Sequence, residues 1–469
     1  MSGPVTIILA AGKAKRMKSD TVKVLHPVAG RAMVDHVLDA VRNLAPERTI
    51  IVVGEQGDRI REALGRGPIY VRQDEPLGTG HAVLQAREAA VASTAPDVLV
   101  VYGDIPTVTA EPLHELVSAH RRDRPAATVL SARVHDPRGL GRVIRDQAGG
   151  LKAIIEEADA SPQERAVDEV NTGIYCFQRD DLFAALSSLT RDNAQGEYYL
   201  TDVLAILRGQ GKAVAAHRVD DPALVRAVND RMELAEAERV LRRRALDRLM
   251  EQGVTVLDPA STFVDAGVRV GPDTVLYPFT LLEGDTVVGK GCRVGPGARL
   301  VDSLAEDGAV VSYSVVEGCR LGKGAQVGPF AHLRQGTILA EGARIGNFAE
   351  IKNSSVGEGT KIPHHCYVGD SSIGGGVNIG AGVVVVNYDG RQKHRTVIAD
   401  RAFVGCNANL VAPVTVHPGG YVAAGSTITR DVPAGALGVG RARQVNVEGW
   451  TARKGLGPPP EEREPSKPK

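Results

Sequence analysis

The chain has 469 residues, enough for two or three domains that each bury a core of their own. Lysine plus arginine balances aspartate plus glutamate at 56 each, so no overall field draws in nucleic acid or an anionic membrane. An anionic substrate must then be held by locally placed groups, and no stretch approaches the ~20 apolar residues that a membrane span requires.

In residues 1–221, short apolar runs alternate with helix-like stretches. VTIILA, TIIVVG, IYVRQ and DVLVVYGD read as strands, and Met33–Leu44 and His81–Ala92 as helices between them. This alternation predicts a largely parallel, doubly wound, Rossmann-like sheet with ligands at the carboxyl ends of its strands. The opening MSGPVTIILAAG lacks a charged leader segment and a cleavage site, so a cytoplasmic location is expected.

After the first strand, LAAGKAKRMKSDTVK combines small residues with Lys13, Arg16 and Lys23. Backbone N–H groups in such a turn can cradle phosphate, although glycine turns after strands are also common in proteins that bind none. In VYGDIP, Asp104 ends an apolar strand. It is either a turn-capping carboxylate or, beside a phosphate cradle, a ligand for Mg²⁺ bridging protein and substrate.

Residues 222–252 are helical and charged, with Leu234, Leu241, Ala245 and Leu249 on one apolar stripe. The arginines of LRRRALDRLM are expected to form a solvated face on a strut between domains.

Residues 253–450 are a repeat array. Aliphatic residues recur at every sixth position from Val264 to Leu300, from Leu321 to Ile351 and from Ile398 to Ile428. A small residue often follows four places later, as at Ala298, Ala343, Thr360 and Ala408, and 32 of the 53 glycines lie between residues 253 and 440. A six-residue period implies one short strand and one turn per hexad, with three hexads per coil of a parallel β-helix. Aliphatic residues stack inside, and the small ones fit the corners. The tail from 451 to 469 is proline-rich and charged, and is expected to be disordered.

On this grid Cys366 and Cys292 fall in small-residue slots and should be buried as small hydrophobes. The five cysteines, which also include Cys176, Cys319 and Cys406, contain no C-x-x-C pair and fit reduced thiols. His364, two places after Ile362, should face outward. Adjacent residues of an extended stretch point different ways, so His364 and His365 are not expected to share a zinc ion. Between Val385 and Ile398 the spacing grows to 13, so VNYDGRQKHRTV should project as a loop of the kind that builds a binding face.

LAAGKAKRM with Lys23, QDEPLGTGHA, VYGDIP, GLGRVI, EVNTGIY and AVND resemble the sugar-phosphate nucleotidylyltransferases. Joined to a hexapeptide helix carrying KIPHHCYVGD, NIGAG and NYDG, they resemble the bifunctional N-acetylglucosamine-1-phosphate uridylyltransferase / glucosamine-1-phosphate acetyltransferases over nearly the whole chain except its tail. The resemblance implies a left-handed coil and homotrimers, which the period alone does not. It further implies UTP, N-acetylglucosamine 1-phosphate, glucosamine 1-phosphate and acetyl-CoA as partners and Mg²⁺ as cofactor.

Carried over to this sequence, it places Leu9, Ala10, Ala11 and Gly12 at the nucleotide, with Arg16 and Lys23 on its phosphates. Gln73, Gly78 and Thr79 would read the uracil, and Tyr102, Gly103 and Asp104 would lie at the sugar and metal. Asp104 would share Mg²⁺ with Asn229, while Gly141, Glu156 and Asn171 would hold the acetylated sugar. In the repeat array it implies His364 as general base, for which Glu350 is the expected orienting carboxylate. Arg334, Lys352, Tyr367 and Asn378 would bind glucosamine 1-phosphate, and Ala381, Asn387, Tyr388, Cys406, Ala424 and Arg441 acetyl-CoA.

Two departures stand out. Ala14-Lys15 replaces the family's frequent Gly-Thr, and Cys406 its frequent serine. The role of His365 is open. Two rival readings are a nucleotidylyltransferase whose β-helix only assembles or regulates it, and a non-enzymatic scaffold.

Overall fold

The computed structural model describes residues 3–12 and 15–456. Lys13 and Ala14 therefore lie outside the described residues, as do 457–469 of the tail. Within the expected tail, residues 451–453 belong to a short helix, Trp450–Arg453. The chain divides into two compact units, Met1–Asp302 and Ser303–Lys469. Among the described residues no helix is long and apolar enough to cross a membrane.

Three of the apolar runs of the first unit become strands buried on both faces, because helices cover the sheet from either side, while IYVRQ forms a partly exposed strand. Val5–Ala10 lies between Arg48–Val53 and Asp97–Tyr102, parallel to both, with Ile7 opposite Ile50 and Val100. Alternate residues enter opposite cores: Ile7, Ile50 and Val100 pack in one, Ile8, Ile51 and Val101 in the other. Ile69–Arg72 extends the sheet at one edge. Toward the other edge, formed by Val214–Val219, Glu169–Gln178 lies between Asp97–Tyr102 and Ala127–Arg133 and runs antiparallel to both. This long strand is the departure from a parallel sheet. The chain reaches it through a hairpin, Arg142–Arg145 with Leu151–Ile155, and so enters from the opposite end.

The helix expected over His81–Ala92 is two, Thr79–Gln85 and Arg87–Val91. At Ala86 the amide donates to Val83 O at 3.0 Å, a tight three-residue turn that leaves both Ala86 and Ala90 against the sheet.

The linking helix, Arg231–Glu251, begins at Asp230, whose Oδ1 accepts from the amides of Met232 and Glu233, each at 2.9 Å. Leu234 and Leu241 pack against Val28, Met33 and Val228. Its arginines are not simply a solvated face. Arg244 donates to Thr107 O at 2.6 Å, and the Arg242 guanidinium lies 3.9 Å from the Phe263 ring centroid. A planar cation on a long stem can use apolar and carbonyl surface that composition does not show.

After this helix short parallel strands and turns dominate, apart from the antiparallel Tyr388–Lys393 bridge and the helix Trp450–Arg453. In the first unit Thr255–Val256, Val275–Leu276 and Arg293–Val294 stack in register, as do Phe263–Val264, Leu281–Glu283 and Arg299–Val301. In the second unit three parallel sheets form the faces of a left-handed β-helix. One of them stacks Val315–Glu317, His332–Arg334, Glu350–Lys352, Tyr367–Gly369, Val384–Val386, Asn409–Val411 and Thr427–Ile428. The hexad residues Val316, Leu333, Ile351, Val368, Val385, Leu410 and Ile428 are all buried along its inner face, and the corner residues Ala325, Ala343, Thr360, Cys366, Ala408 and Ser426 are buried too.

Each inner aliphatic is one rung of a stack with little room to collapse. Leu333→Ala should therefore destabilise the second unit by about 2–5 kcal/mol. A lowered midpoint in thermal or denaturant unfolding, read by circular dichroism, checks this.

Candidate active sites

The first site forms where strands of the first unit end. A pocket of about 390 Å³ is lined by Ala10–Gly12, residues 18–23, Gly54–Gln56 and Ile60. The backbone is close-packed here: a Cβ on Gly54 would lie 3.0 Å from Ala11 O, whereas one on Gly12 would meet nothing within 4 Å. Gly103 is held beside the first strand by its amide donating to Leu9 O at 2.9 Å.

The charged residues converge although far apart in the chain. Lys23 Nζ lies 2.5 Å from Asp104 Oδ2 and 2.9 Å from Asn229 Oδ1, and Arg16 donates to the same Asn229 oxygen at 3.0 Å. Val228 N donates to Asp104 O at 2.8 Å, so AVND is fixed on VYGD by the backbone. The second carboxylate oxygen, Asp104 Oδ1, is buried without a hydrogen-bond partner. A buried oxygen of this kind is costly unless another group completes it.

Farther along the same strand ends, Tyr102 is half-buried and its phenol is held above its usual pKa, first by desolvation and then by the Glu156 charge. It reaches the Thr79 hydroxyl, whose oxygen also accepts from Leu200 N at 3.1 Å. Burial likewise raises the Glu156 carboxyl, against the hydrogen bond it accepts from Thr201. Gly141 leaves space beside Glu156, where a Cβ would come within 3.3 Å of Oε2. Asn171 N donates to Gly141 O at 2.8 Å, so the three expected sugar residues are neighbours. Gln73 is buried and donates to Gly78 O at 3.1 Å while lying 3.0 Å from His81 Nδ1.

His81, Thr201 and Gly173 escaped the sequence reading. Gly173 carried a usable signal, since it sits at φ +78° with the Tyr102 ring 2.8 Å from where its Cβ would be. Only glycine combines that backbone with so close an approach.

The second site lies on the β-helix of the second unit. His364 is exposed, as expected, and Cys366 is buried, its thiol donating to His364 O at 2.9 Å. The two histidines have different surroundings: His364 Nδ1 lies 2.5 Å from Asn347 Oδ1, while the His365 ring packs 4.9 Å from that of Phe348. Glu350, expected beside His364, instead accepts from Arg334 at 2.8 Å. Strand register explains this: Asn347 faces His364 across one sheet, whereas Glu350 pairs with Tyr367 in the next.

His364, Ala381, Cys406 and Ala424 each stand two places after a buried hexad residue and so recur at one corner. Backbone hydrogen bonds link these layers, Gly382 N to His364 O at 3.3 Å, Asn407 N to Ala381 O at 2.7 Å and Gly425 N to Cys406 O at 2.8 Å. Arg441 adjoins the top of this column, its Cδ 4.0 Å from a Cβ built on Gly425. Arg334 and Lys352 are cross-strand partners on the neighbouring sheet. Tyr367 and Asn387 pack over Gly369, where a Cβ would lie 2.7 and 2.5 Å from them. Asn378 stands apart from that group, on the sheet that carries His364.

The projecting segment is a tight hairpin. Tyr388 bridges Lys393, His394 N donates to Asn387 O at 2.8 Å, and Asp389 accepts from the amides of Arg391 and Gln392, each at 2.8 Å. The hairpin delivers Lys393, missed in the sequence reading, to Lys352. Lys393, as a hydrogen-bond neighbour that favours a neutral amine and as a like charge, pushes the Lys352 pKa down. Beneath them, burial raises the Asp370 carboxyl but amide bonds from Asn353 and Asn387, with Lys393 and Lys352 nearby, hold it low overall. Arg334, Lys352 and Lys393 thus make a cationic face suited to a phosphate.

Residues 6–251 match the family described as a MobA-like NTP transferase domain. The chain is 49% identical over 451 residues to the bifunctional protein GlmU of Heliobacterium modesticaldum, covering 96% of this chain and 98% of that relative. It is 49% identical to that of an Exiguobacterium species, covering 95% and 99%, and 47% identical to that of a Geobacillus species, covering 95% and 97%. The chain belongs to the GlmU family. Relatives in this family are named as bifunctional, and the chain carries two separate residue clusters, one in each unit.

Cys406 is exposed and the other four cysteines are buried. In native protein, iodoacetamide should therefore modify Cys406 first, by more than about tenfold over the others, because the reactive thiolate must be accessible. Peptide mass spectrometry after timed labelling checks this.

Proposed function

We propose that the first unit transfers uridylyl and the second acetyl groups, so that one chain makes UDP-N-acetylglucosamine. The reading rests above all on the presence, in one chain, of Lys23, Asp104, Asn229 and Arg16 in the NTP-transferase pocket and of His364 beside a cationic face on the β-helix. A scaffold needs neither.

In acetyl transfer, Arg334, Lys352 and Lys393 bind the phosphate of glucosamine 1-phosphate, and Tyr367 and Asn378 its sugar. The amine attacks the thioester carbonyl of acetyl-CoA. His364 takes the amine proton, and the tetrahedral adduct collapses with loss of the CoA thiolate. The corner column of Ala381, Cys406 and Ala424, with Asn387, Tyr388 and Arg441, contacts acetyl-CoA.

In uridylyl transfer, a phosphate oxygen of N-acetylglucosamine 1-phosphate attacks the α-phosphorus of UTP and pyrophosphate leaves. The protein's work is alignment and charge neutralisation. Leu9, Ala10, Ala11 and Gly12 cradle the nucleotide, Gln73, Gly78 and Thr79 hold its base, and Arg16 and Lys23 meet its phosphates. Tyr102, Gly103, Gly141, Glu156 and Asn171 orient the sugar.

The orphaned Asp104 Oδ1 and the nearby Asn229 Oδ1 are hard oxygen donors, and Mg²⁺ is the ion that fits them. When bound it supplies charge neutralisation to the phosphates. Lys23 Nζ bridges these two side chains.

We assign 1–221 to uridylyl transfer, 222–252 to a linker, 253–450 to the acetyl-transfer β-helix, whose first coils fall within the first compact unit, and 451–469 to a tail. Homotrimers in the cytoplasm complete the proposal: flat β-helix faces suit packing in threes.

Mass spectrometry of reactions with glucosamine 1-phosphate, acetyl-CoA, UTP and Mg²⁺, each omitted in turn, tests the assignment. His364→Ala should lower acetyl transfer by about 10²–10⁴ and leave uridylyl transfer intact, and equal loss of both would sink the two-site reading. Asp104→Ala, or removal of Mg²⁺ by EDTA, should abolish uridylyl transfer alone. Lys393→Ala should raise KM for glucosamine 1-phosphate by about tenfold with little change in KM for acetyl-CoA, consistent with loss of one charge-assisted phosphate contact.

A further inference from the structure

The residue that orients His364 follows from which groups the coils stack around it. Asn347 ends the strand Arg344–Asn347, and His364 ends Lys361–His364 in the coil above, with the two residues in direct register. His364 Nδ1 lies 2.5 Å from the side-chain oxygen of Asn347. An amide oxygen can only accept, so the ring nitrogen facing it must carry the hydrogen. In the neutral ring Nε2 then has its lone pair free.

The main chain locks the same pair of layers together. His365 N donates to Asn347 O at 3.0 Å, and the rings of Phe348 and His365 pack at left-handed corners, φ +59° and +46°. On the neighbouring sheet Glu350 is engaged with Arg334, Asp370 with Asn353 and Asn387, and Lys352 with Lys393.

We propose that Asn347 is the positioning residue of the acetyl-transfer site, holding His364 in the tautomer protonated at Nδ1 so that Nε2 accepts the proton of the attacking amine. The inference rests on the acetyltransferase reading of this site. A carboxylate in the same place would also orient the ring, but its charge would favour the imidazolium and keep the base protonated at higher pH. An amide orients without that penalty. His365 is no second base; its ring caps the Phe348 stack and its amide holds the layer beneath.

The test is the pH profile of acetyl transfer in wild-type enzyme, Asn347→Ala, Asn347→Asp and Glu350→Gln, with uridylyl transfer by the same preparations as the measure of folding. Asn347→Ala should lower kcat by about 10- to 100-fold with KM for both substrates nearly unchanged. Asn347→Asp should recover part of kcat and move the acid limb of the profile up by about one pH unit. Glu350→Gln should raise KM for glucosamine 1-phosphate, by loosening Arg334, and leave the acid limb in place. Near-normal kcat in Asn347→Ala, an unmoved limb in Asn347→Asp, or a limb that shifts in Glu350→Gln would each overturn the role of Asn347 while the acetyltransferase reading stands. Failure of the wild-type enzyme to acetylate glucosamine 1-phosphate would overturn both.

Discussion

The stacking of one buried aliphatic residue on the next governs the second unit. Leu333, Ile351 and Val368 lie in direct register in consecutive coils, about 4.8 Å apart as parallel strands must be. A slip of one residue would turn every inner side chain outward, so the register is strongly held wherever the core is aliphatic. The chemistry depends on this register. Residues at one slot recur at one corner, and so Asn347, His364, Ala381, Cys406 and Ala424 form a column although 77 positions separate the first from the last. The small corner residues serve the same end by letting the chain turn tightly without pushing adjacent coils apart.

The first unit reaches a similar precision by another route. Its central parallel strands are buried on both faces, so only their ends and the connecting turns can meet a ligand. Asp104 follows one strand and Lys23 lies in the loop after another, while Asn229 arrives from just before the linking helix and is pinned by the Val228–Asp104 backbone bond. The pocket combines small residues, which admit a ligand to the backbone, with charge concentrated at one end.

Electrostatics separates the two sites. In the first, two cations converge on one carboxylate and one amide, while one buried carboxylate oxygen stays unsatisfied. In the second, like charges are held together: Lys393 on its hairpin comes to Lys352, and Asp370 beneath offsets part of the repulsion. A site assembled from mutually repelling cations gains most when an anion arrives, which is the arrangement expected for a sugar phosphate.

Period and motif were legible because they are local. Six-residue spacing assigned inside and outside along the β-helix, and with it the burial of Cys366 and the exposure of His364. The apolar runs located the four strands at the start of the chain, and the 13-residue gap after Val385 announced the hairpin. What the sequence could not determine is which side chain meets which. The antiparallel course of Glu169–Gln178, the aromatic and carbonyl partners of Arg242 and Arg244, the arrival of Lys393 at Lys352 and the choice of Asn347 over Glu350 beside His364 all join residues far apart in the chain. Glu350 looked suitable because it is a carboxylate close to His364 on the grid. The coil places it on the next face, where Arg334 is nearer. Periodicity assigns each residue a direction, and only the closing of the coils brings particular side chains within hydrogen-bond reach.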